Sequence, residues 1–186
     1  MIAVIDYNVG NVSSVLNMCR RLDVTAVLTR DPDKIKKANG IVLPGVGSFH
    51  VAMRNLTEFG LIDVLNEVKT KGAKILGICL GMQILFEKGF EGGETAGLGY
   101  LKGNVALIKT TDKLPHMGWN NISTGDVYFV HSYMVESTDD CIEFAEYGGV
   151  KIPAIVQKDN VMGCQFHPEK SGKVGEEILS KWMVSL

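Results

Sequence analysis

The feature that most constrains this chain is the pentapeptide GICLG at residues 77–81, which closes a short apolar run. The pattern predicts a cysteine at the apex of a turn from a strand into a helix. The glycines at either end allow a sharp bend without a Cβ clash. This is the cysteine version of the G-x-S-x-G elbow, which lifts a nucleophile clear of a sheet. The chain is therefore expected to form a covalent bond to its substrate through Cys79.

Short apolar runs alternate with helically spaced segments through the first half. Such alternation predicts an α/β fold with an open, mostly parallel sheet flanked by helices. The pattern places strands at residues 2–5, 24–28, 41–43 and 74–78. It places helices at residues 12–22, from Asp31-Pro32, at 51–71 with a break at Gly60, and beginning over 82–88.

The second half has a different pattern, dominated by strands. We expect these strands, some of them antiparallel, to join the same sheet, and residues 1–186 to form a single domain. The glycine-rich stretch 89–99 is predicted to be a mobile surface loop. The strand-like runs lie at 105–108, 127–130, 141–147, 152–157 and 161–166, and a closing helix is predicted at 172–182.

Composition excludes several classes of function. A chain of 186 residues that is 46% hydrophobic suits one globular domain, and a net charge of -2 gives no footprint for nucleic acid. No apolar stretch approaches the roughly 20 residues of a membrane helix. The first residues enter a strand without the basic region of a secretion signal. Four cysteines without a C-x-x-C pair favour free thiols and a cytoplasmic location, although two disulfides remain an alternative.

A nucleophilic cysteine needs a base, and the segment Gln165-Phe-His-Pro-Glu169 supplies a candidate. The preceding run is strand-like, so His167 is expected to emerge at a strand end. Alternate residues of an extended chain point the same way, so Glu169 is expected beside His167, with Pro168 keeping the backbone extended. Cys79, His167 and Glu169 then form a nucleophile, base and orienting carboxylate.

Acyl chemistry also needs donors for a developing oxyanion. The N–H of Leu80 is one candidate, and the turn Gly45-Val46-Gly47 after the third strand offers another, unless it only ends the strand. The remaining cysteines are interpreted as buried apolar side chains. A zinc site is conceivable from the histidines and cysteines, but no ligand spacing supports it, and neither a metal nor a cofactor is predicted. These other side chains are Cys19, Cys141, Cys164, His50, His116 and His131.

Several motifs together resemble the class I, triad-type glutamine amidotransferases. The resemblance rests on GICLGMQ at 77–83 and QFHPE at 165–169, and it extends over nearly the whole chain. It implies a flavodoxin-like fold in which Cys79 attacks the side-chain amide of glutamine, releasing ammonia and leaving a glutamyl thioester that water hydrolyses. By resemblance, the glutamine-binding and oxyanion residues are Gly45, Val46, Gly47, Leu80, Gln83, Glu91, Ser132 and Tyr133.

Three further segments narrow the resemblance to glutaminase subunits of histidine biosynthesis: DYNVGN at 6–11, PHMGWN at 115–120 and HSY at 131–133. Such a subunit passes ammonia to a cyclase subunit with a (β/α)8 barrel, as a heterodimer. The cyclase forms imidazole glycerol phosphate and an aminoimidazole carboxamide ribotide. The residues that we assign to the docking face are Asn8, Asn11, Met117, Trp119 and Lys170. A local core position is the alternative for Trp119.

One position departs from the family pattern, because Asn8 stands where a glycine is usual. Asparagine tolerates a positive φ, so the turn is expected to survive. The departure leaves open a paralogue that supplies ammonia to another synthase, such as one that amidates surface sugars. A further hypothesis is another cysteine hydrolase on the same fold. A third is a non-catalytic binding subunit, and the intact Cys79, His167 and Glu169 disfavour that one.

Overall fold

The strand that carries the elbow lies in the middle of a large sheet in the computed structural model, which describes residues 1–184. The strands of this part of the chain are β1 (Ile2–Ile5), β2 (Ala26–Thr29), β3 (Gly40–Leu43), β4 (Lys74–Ile78), β5 (Lys88–Gly89), β6 (Thr95–Ala96), β7 (Asn104–Leu107), β8 (His116–Ile122), β9 (Gly125–His131), β10 (Tyr133–Val135), β11 (Cys141–Tyr147), β12 (Val150–Lys158) and β13 (Val161–Cys164).

All but the fifth of the described helices lie close to their predicted places. Asp31 caps the second of them, because its carboxylate accepts the N–H of Asp33 at 3.0 Å. Gly60, at a φ of 65°, separates the third from the fourth, which confirms the predicted break. The helices are α1 (Val12–Arg21), α2 (Pro32–Lys36), α3 (Phe49–Glu58), α4 (Leu61–Thr70), α5 (Leu80–Gln83) and α6 (Gly172–Val184), with a short 3-10 helix at Pro168–Lys170.

The main sheet has seven strands in the order β11-β12-β13-β4-β3-β1-β2. The five strands from β13 to β2 are parallel, and β11 and β12 extend that edge in antiparallel pairing. This parallel order is the flavodoxin-like one, so the predicted fold class is confirmed. In such sheets ligands bind beyond the carboxyl ends of the strands, and the elbow follows the end of β4.

The expectation that all later strands join this sheet is wrong. β7 belongs to a four-stranded sheet with β10, β5 and β6, and β9 pairs with β8 as a separate hairpin. The β8 segment was not predicted as a strand, because its apolar residues Met117 and Trp119 face outward. The buried apolar side chains of the hairpin are instead Val127 and Phe129 of β9. β9 pairs with β8 and not with a strand of the main sheet, and the local sequence pattern does not specify this partner.

Two further predictions in the middle of the chain are wrong. The helix expected over 82–88 ends at Gln83, after which Leu85 and Phe86 make tighter bonds to the carbonyls three residues back. The glycine-rich stretch 89–99 is not entirely a loop, because its Gly89, in β5, pairs with its Thr95, in β6. A Cβ on Gly97 would lie 2.1 Å from the Phe86 carbonyl oxygen, so close packing requires this glycine.

The main sheet is covered on both faces, which fixes the position of the elbow. Along β1, Ala3 and Ile5 belong to one apolar core, whereas Ile2 and Val4 belong to the other. Strands buried on both faces are typical of parallel sheets between helices. None of the helices within residues 1–184 is long and apolar enough to cross a bilayer.

Candidate active site

Cys79 lies at the apex of the turn between β4 and α5. It has a φ of 53° and a ψ of -107°, a conformation that a residue with a side chain rarely adopts. Such strain costs on the order of 1–3 kcal/mol and persists where the surroundings enforce it. One enforcing contact is the bond from the Cys79 N–H to the Cys164 carbonyl of β13, at 2.7 Å. The turn therefore holds the thiol in one position.

The two glycines of the elbow are needed for space rather than for a positive φ. A Cβ on Gly81 would lie 1.8 Å from the carbonyl oxygen of Leu43, at the end of β3. A Cβ on Gly77 would lie 2.5 Å from the Gly81 carbonyl oxygen. Neither glycine has a positive φ, whereas Cys79 does. The sharp bend thus falls on the cysteine, and the glycines let the neighbouring backbones approach.

His167 and Glu169 follow β13 and lie together under the elbow. The Nδ1 of His167 is 2.8 Å from Glu169 Oε1, and both side chains are almost fully buried. The contact is the expected one, but the reason given for it is wrong. Pro168 begins a 3-10 helix instead of extending the chain, and this tight turn brings Glu169 back to the ring.

The environment of His167 favours its protonated form. Burial opposes the positive charge, but the interactions of the ring with Cys79 and Glu169 outweigh it and raise the pKa of His167 to about 9. The Nε2 atom has no conventional hydrogen bond within residues 1–184. Bonds between catalytic groups often tighten only when substrate is present. The arrangement suits an imidazolium that can pass a proton to a leaving group.

Asn11 is connected directly to these residues. Its side-chain N–H donates to Glu169 Oε1 at 3.0 Å, and its Oδ1 accepts the Ser14 hydroxyl at 2.8 Å. The sequence placed Asn11 on a docking face and gave no sign of this contact, because the two residues are 158 positions apart. Asn11 is half-buried, so it connects the protein surface with the carboxylate behind His167.

A cavity of about 300 Å³ opens beside the cysteine. Seven of the eight predicted glutamine-binding residues line it, whereas Gly45 lies behind Leu80 and does not. Pro115, Val130 and His131 also line the cavity and were not assigned to the site from sequence. The complete lining is Val46, Gly47, Cys79, Leu80, Gln83, Glu91, Pro115, Val130, His131, Ser132 and Tyr133.

The segment 44–47 forms the side of the cavity next to Leu80. Pro44, the first residue of this segment, is held by the fully buried Tyr7, whose hydroxyl donates a hydrogen bond to the Pro44 carbonyl. Burial raises the pKa of Tyr7, which therefore stays a neutral donor. Gly47 has a φ of 128°, a conformation that favours glycine. The segment is thus held by a side-chain hydrogen bond at one end and adopts a glycine-specific conformation at the other.

Glu91 reaches the cavity from the stretch that was expected to be mobile. Its Oε2 accepts the N–H of Phe49 at 2.8 Å, at the start of α3. A carboxylate at a helix N-terminus is favoured both by the free N–H groups and by the helix dipole. This bond holds Glu91 at the cavity, although the residue lies in the glycine-rich stretch 89–99.

Two large apolar side chains lie exposed on β8, outside the cavity. Met117 and Trp119 are each 60% exposed, so the alternative core position for Trp119 is wrong. Trp119 packs edge-on against Tyr128, and the Lys170 amino group lies 5.8 Å from the centre of the same ring. Exposed aromatic and methionine side chains are typical of protein interfaces.

Asn8 also lies on the surface, near the end of β1. It has a φ of 58°, which confirms that asparagine adopts the turn conformation where the family pattern has glycine. Its Oδ1 accepts a hydrogen bond from Arg30 at 3.1 Å. The departure from the family pattern therefore leaves the turn intact.

The other thiols and histidines have different surroundings. All four cysteines are free, as predicted, and Cys141 is half-buried whereas Cys19 and Cys164 are fully buried. His50 is exposed in the first turn of α3. Within the described residues 1–184, no group of three or more His, Cys, Asp or Glu side chains is placed so that it could hold a metal ion.

The chain belongs to the glutamine amidotransferase class-I family, whose model matches residues 3–186. Among curated proteins, the imidazole glycerol phosphate synthase subunit HisH of Lactococcus lactis is 50% identical, and the match covers 98% of this chain and 97% of that protein. The subunit of the same name from Streptococcus mutans is 46% identical, with 98% of both chains covered.

Solved structures of low sequence identity share the fold. A structure described as a glutamine amidotransferase matches with a TM-score of 0.80 at 16% identity, over the full length of both chains. The structure of PurLQS from Thermotoga maritima matches with a TM-score of 0.74 at 20% identity, over 99% of this chain and 97% of that one.

Proposed function

We propose that this chain is the glutaminase subunit of an imidazole glycerol phosphate synthase, acting in the cytoplasm as a single domain of residues 1–186. It hydrolyses L-glutamine to glutamate and ammonia. The observation that carries the proposal is Cys79 at the wall of a cavity, together with the buried His167–Glu169 pair and an exposed apolar patch of Met117 and Trp119. The cavity side suits a small substrate, and the patch side suits a protein partner.

The geometry gives each residue a role. The Cys79 thiolate attacks the side-chain amide carbon of glutamine, and His167 transfers its proton to the nitrogen that leaves as ammonia. The backbone N–H of Leu80, with the glycine-rich segment 45–47, offers donors to the oxyanion. Water, deprotonated by His167, then hydrolyses the thioester, and glutamate leaves with the thiol restored. Glu169 orients the ring throughout.

The cavity has the chemistry to hold glutamine. A buried ligand of this kind needs a few polar groups placed to fix its orientation. Glu91 supplies a carboxylate for the α-amino group, and the 132–133 segment supplies backbone and hydroxyl groups for the carboxylate. Gln83 lies at the inner end, next to Cys79. These assignments are supported by the lining of the cavity.

The exposed patch on β8 supports the choice of a partner-dependent enzyme over a free cysteine hydrolase. Ammonia released into water would be protonated and lost as a nucleophile, so a docked acceptor site is needed. Met117, Trp119 and Lys170, with Asn8 and Asn11, are the proposed contacts. The partner is a cyclase with a (β/α)8 barrel, which uses the ammonia to form imidazole glycerol phosphate and an aminoimidazole carboxamide ribotide.

The test is the release of glutamate from glutamine, measured with and without the cyclase and its acceptor substrate. We expect slow release from the subunit alone and strong stimulation in the complex. Rapid release by the subunit alone would contradict control by a partner. No release in either state would contradict the glutaminase assignment itself.

A second test uses a glutamine analogue that carries an electrophile. We expect labelling at Cys79, because that thiol faces the cavity. Cys164 is a control within the chain, since burial and the nearby charge of Glu169 raise its pKa. Mass-spectrometric detection of the label on Cys19, Cys141 or Cys164 instead would contradict the assignment.

A further inference from the structure

Two histidines that the proposed reaction does not use are in direct contact at the open end of the hairpin, where β8 begins and β9 ends. His116 and His131 lie opposite each other on β8 and β9, and Nδ1 of the first is 3.0 Å from Nε2 of the second. His116 is stacked between the rings of Phe129 and Tyr147, at 4.6 and 4.2 Å. Both histidines are buried, with 2% and 6% exposure. Buried polar groups normally have hydrogen-bond partners, so the contacts of these two rings determine where their protons lie.

The protons of this pair are fixed by what surrounds it. The Nδ1 of His131 is 2.9 Å from the Tyr133 carbonyl, which can only accept, so this Nδ1 carries a proton. In a neutral ring, Nε2 of His131 is then an acceptor, and His116 donates to it from Nδ1. The Nε2 of His116 is left to accept the amide N–H of Asn120, at 3.1 Å.

Burial keeps both rings neutral. It lowers the pKa of His116 to about 4 and that of His131 to about 3. Protonation of either ring would place two donors against each other or against the Asn120 amide. At neutral pH the pair therefore has one direction of donation, running from Asn120 through both rings to the Tyr133 carbonyl.

The hydrogen-bonded chain continues from Tyr133 to the nucleophile. The same carbonyl also accepts the Gln83 amide at 2.8 Å, which fills its second lone pair. The other hydrogen of that amide is donated to Gln165 Oε1, at 3.2 Å. The amide of Gln165, which is fully buried, donates to the Cys79 sulphur at 3.8 Å.

The outer end of the chain lies on the proposed docking hairpin. Asn120 follows the exposed Trp119 on β8, and its amide also donates to the Glu146 carbonyl at 2.8 Å. The hairpin contacts the nucleophile a second time, because the Cys79 sulphur lies 3.8 Å from the Val130 carbonyl oxygen. A displacement of β8 by a partner would therefore reach the cavity wall through bonded groups.

We propose that the His116–His131 pair is a positioning element that couples partner docking on the hairpin to the wall of the glutamine cavity. It acts through the Tyr133 carbonyl on Gln83 and Gln165, and neither ring takes part in the reaction. The inference rests on the proposed function, since it concerns the step by which the cyclase stimulates glutamine hydrolysis.

Two substitutions at one position separate the hydrogen bond from the packing. His116→Phe keeps a ring between Phe129 and Tyr147 but removes the donor to His131. His116→Asn loses the ring but keeps a side-chain N–H near the place of Nδ1. The measurement is glutamate release by the subunit alone and by its complex with the cyclase and acceptor substrate, together with the affinity of the two subunits.

If the pair couples the sites, His116→Phe reduces the stimulation about tenfold, within the range typical of coupling between sites. The unstimulated rate and the affinity for the cyclase stay near those of the unsubstituted chain, and His116→Asn retains most of the stimulation. A stimulated His116→Phe complex overturns the inference. So does an equal loss in both variants, because ring packing would then be sufficient to explain it.

The outcomes also distinguish this inference from the proposed function. If the unsubstituted chain is not stimulated by the cyclase, the proposed function fails and the inference fails with it. If it is stimulated and His116→Phe behaves alike, only the inference fails. Nitrogen-15 NMR of the ring nitrogens at pH 7 provides a readout besides activity: we expect Nδ1–H on both rings, and Nε2–H on His131 overturns the inference.

Discussion

The elbow at 77–81 and the hairpin of β8 and β9 face each other across the cavity, but they are held in different ways. The elbow is fixed by steric contact, because backbone carbonyls occupy the space where Cβ atoms of Gly77 and Gly81 would be. The hairpin wall is fixed by hydrogen bonds between buried side chains, including the 3.0 Å contact of His116 with His131.

The difference shows where control can enter. Close-packed backbone has few alternative arrangements, so the position of Cys79 is set by folding. A hydrogen-bonded wall can shift by small changes in donor and acceptor geometry. The exposed Met117 and Trp119 lie on that wall and not on the elbow. We therefore expect substitutions in the elbow to act on chemistry and folding, and substitutions in the hairpin to act on the partner's influence.

The largest expected effect is that of Cys79→Ala. Glutamine-dependent synthesis by the complex should fall by at least about 10⁴-fold, because the covalent route is lost. Synthesis from added ammonium salt should remain, since the hairpin and the cyclase are untouched. Assays with each nitrogen source check this. Loss of the ammonia-dependent reaction as well would show that the elbow also supports the partner's site.

Gly81→Ala tests the steric account of the elbow. A Cβ at 1.8 Å from the Leu43 carbonyl oxygen cannot be accommodated without moving β3 or α5. We expect the free energy of unfolding to fall by more than about 4 kcal/mol. Urea denaturation followed by circular dichroism measures it.

The matched control for that substitution is Gly99→Ala. Gly99 has a φ of 65° and open space around it, so the cost should be only about 1 kcal/mol, from the left-handed conformation alone. A loss at Gly81 no larger than that at Gly99 would contradict the steric account of the elbow.

Trp119→Ala tests whether the hairpin is the docking surface. Its removal should weaken binding of the cyclase by roughly 2–4 kcal/mol, because a large aromatic at an interface centre often dominates affinity. The stability of the isolated subunit should change by less than about 0.5 kcal/mol, as is usual for an exposed residue. Isothermal titration calorimetry measures the first and thermal unfolding the second.

Phe144→Ala is the control for Trp119. Phe144 is also an exposed aromatic, on the edge strand β11. Its removal should leave the affinity for the cyclase unchanged. If both variants bind the cyclase normally, the docking face lies elsewhere.

Acid should act on the hairpin. The two buried histidines have pKa values near 4 and 3, below the ordinary value of about 6.5, so between pH 6.5 and 4 the unfolded chain takes up protons that the folded chain does not. Stability should therefore fall as the pH drops through this window. His116→Phe should flatten the slope in equilibrium unfolding, and an unchanged slope would contradict the burial account.

Alkaline pH should lower stability through His167, so the dependence of stability on pH has the opposite sign to that of the hairpin histidines. The pKa of His167 is raised to about 9, so its stabilising contribution is complete below pH 6.5 and is lost as the pH rises towards 9. The positive charge of His167 also lowers the pKa of His131, so the acid and alkaline limbs should be fitted separately. Cys79→Ala removes one partner of His167 and should reduce the alkaline slope in the same unfolding measurement.

The sequence predicted the first half of the molecule well because its signals are local. Alternating apolar runs and caps such as Asp31 define elements whose partners follow closely along the chain. The second half was less predictable. The strand His116–Ile122 has its large apolar side chains on the exposed side, so its pattern did not indicate a buried face, and strands were wrongly assigned to one sheet.

By itself, then, the sequence determined the fold class, the elbow at Cys79 and the pairing of His167 with Glu169. These depend on steric space and on neighbours within a few residues. Only the tertiary structure decided the contact of Asn11 with Glu169, the His116–His131 pair and the connection from the hairpin to Cys79. Those contacts join residues far apart in the chain, and one side chain's donors and acceptors do not specify which distant partner will satisfy them.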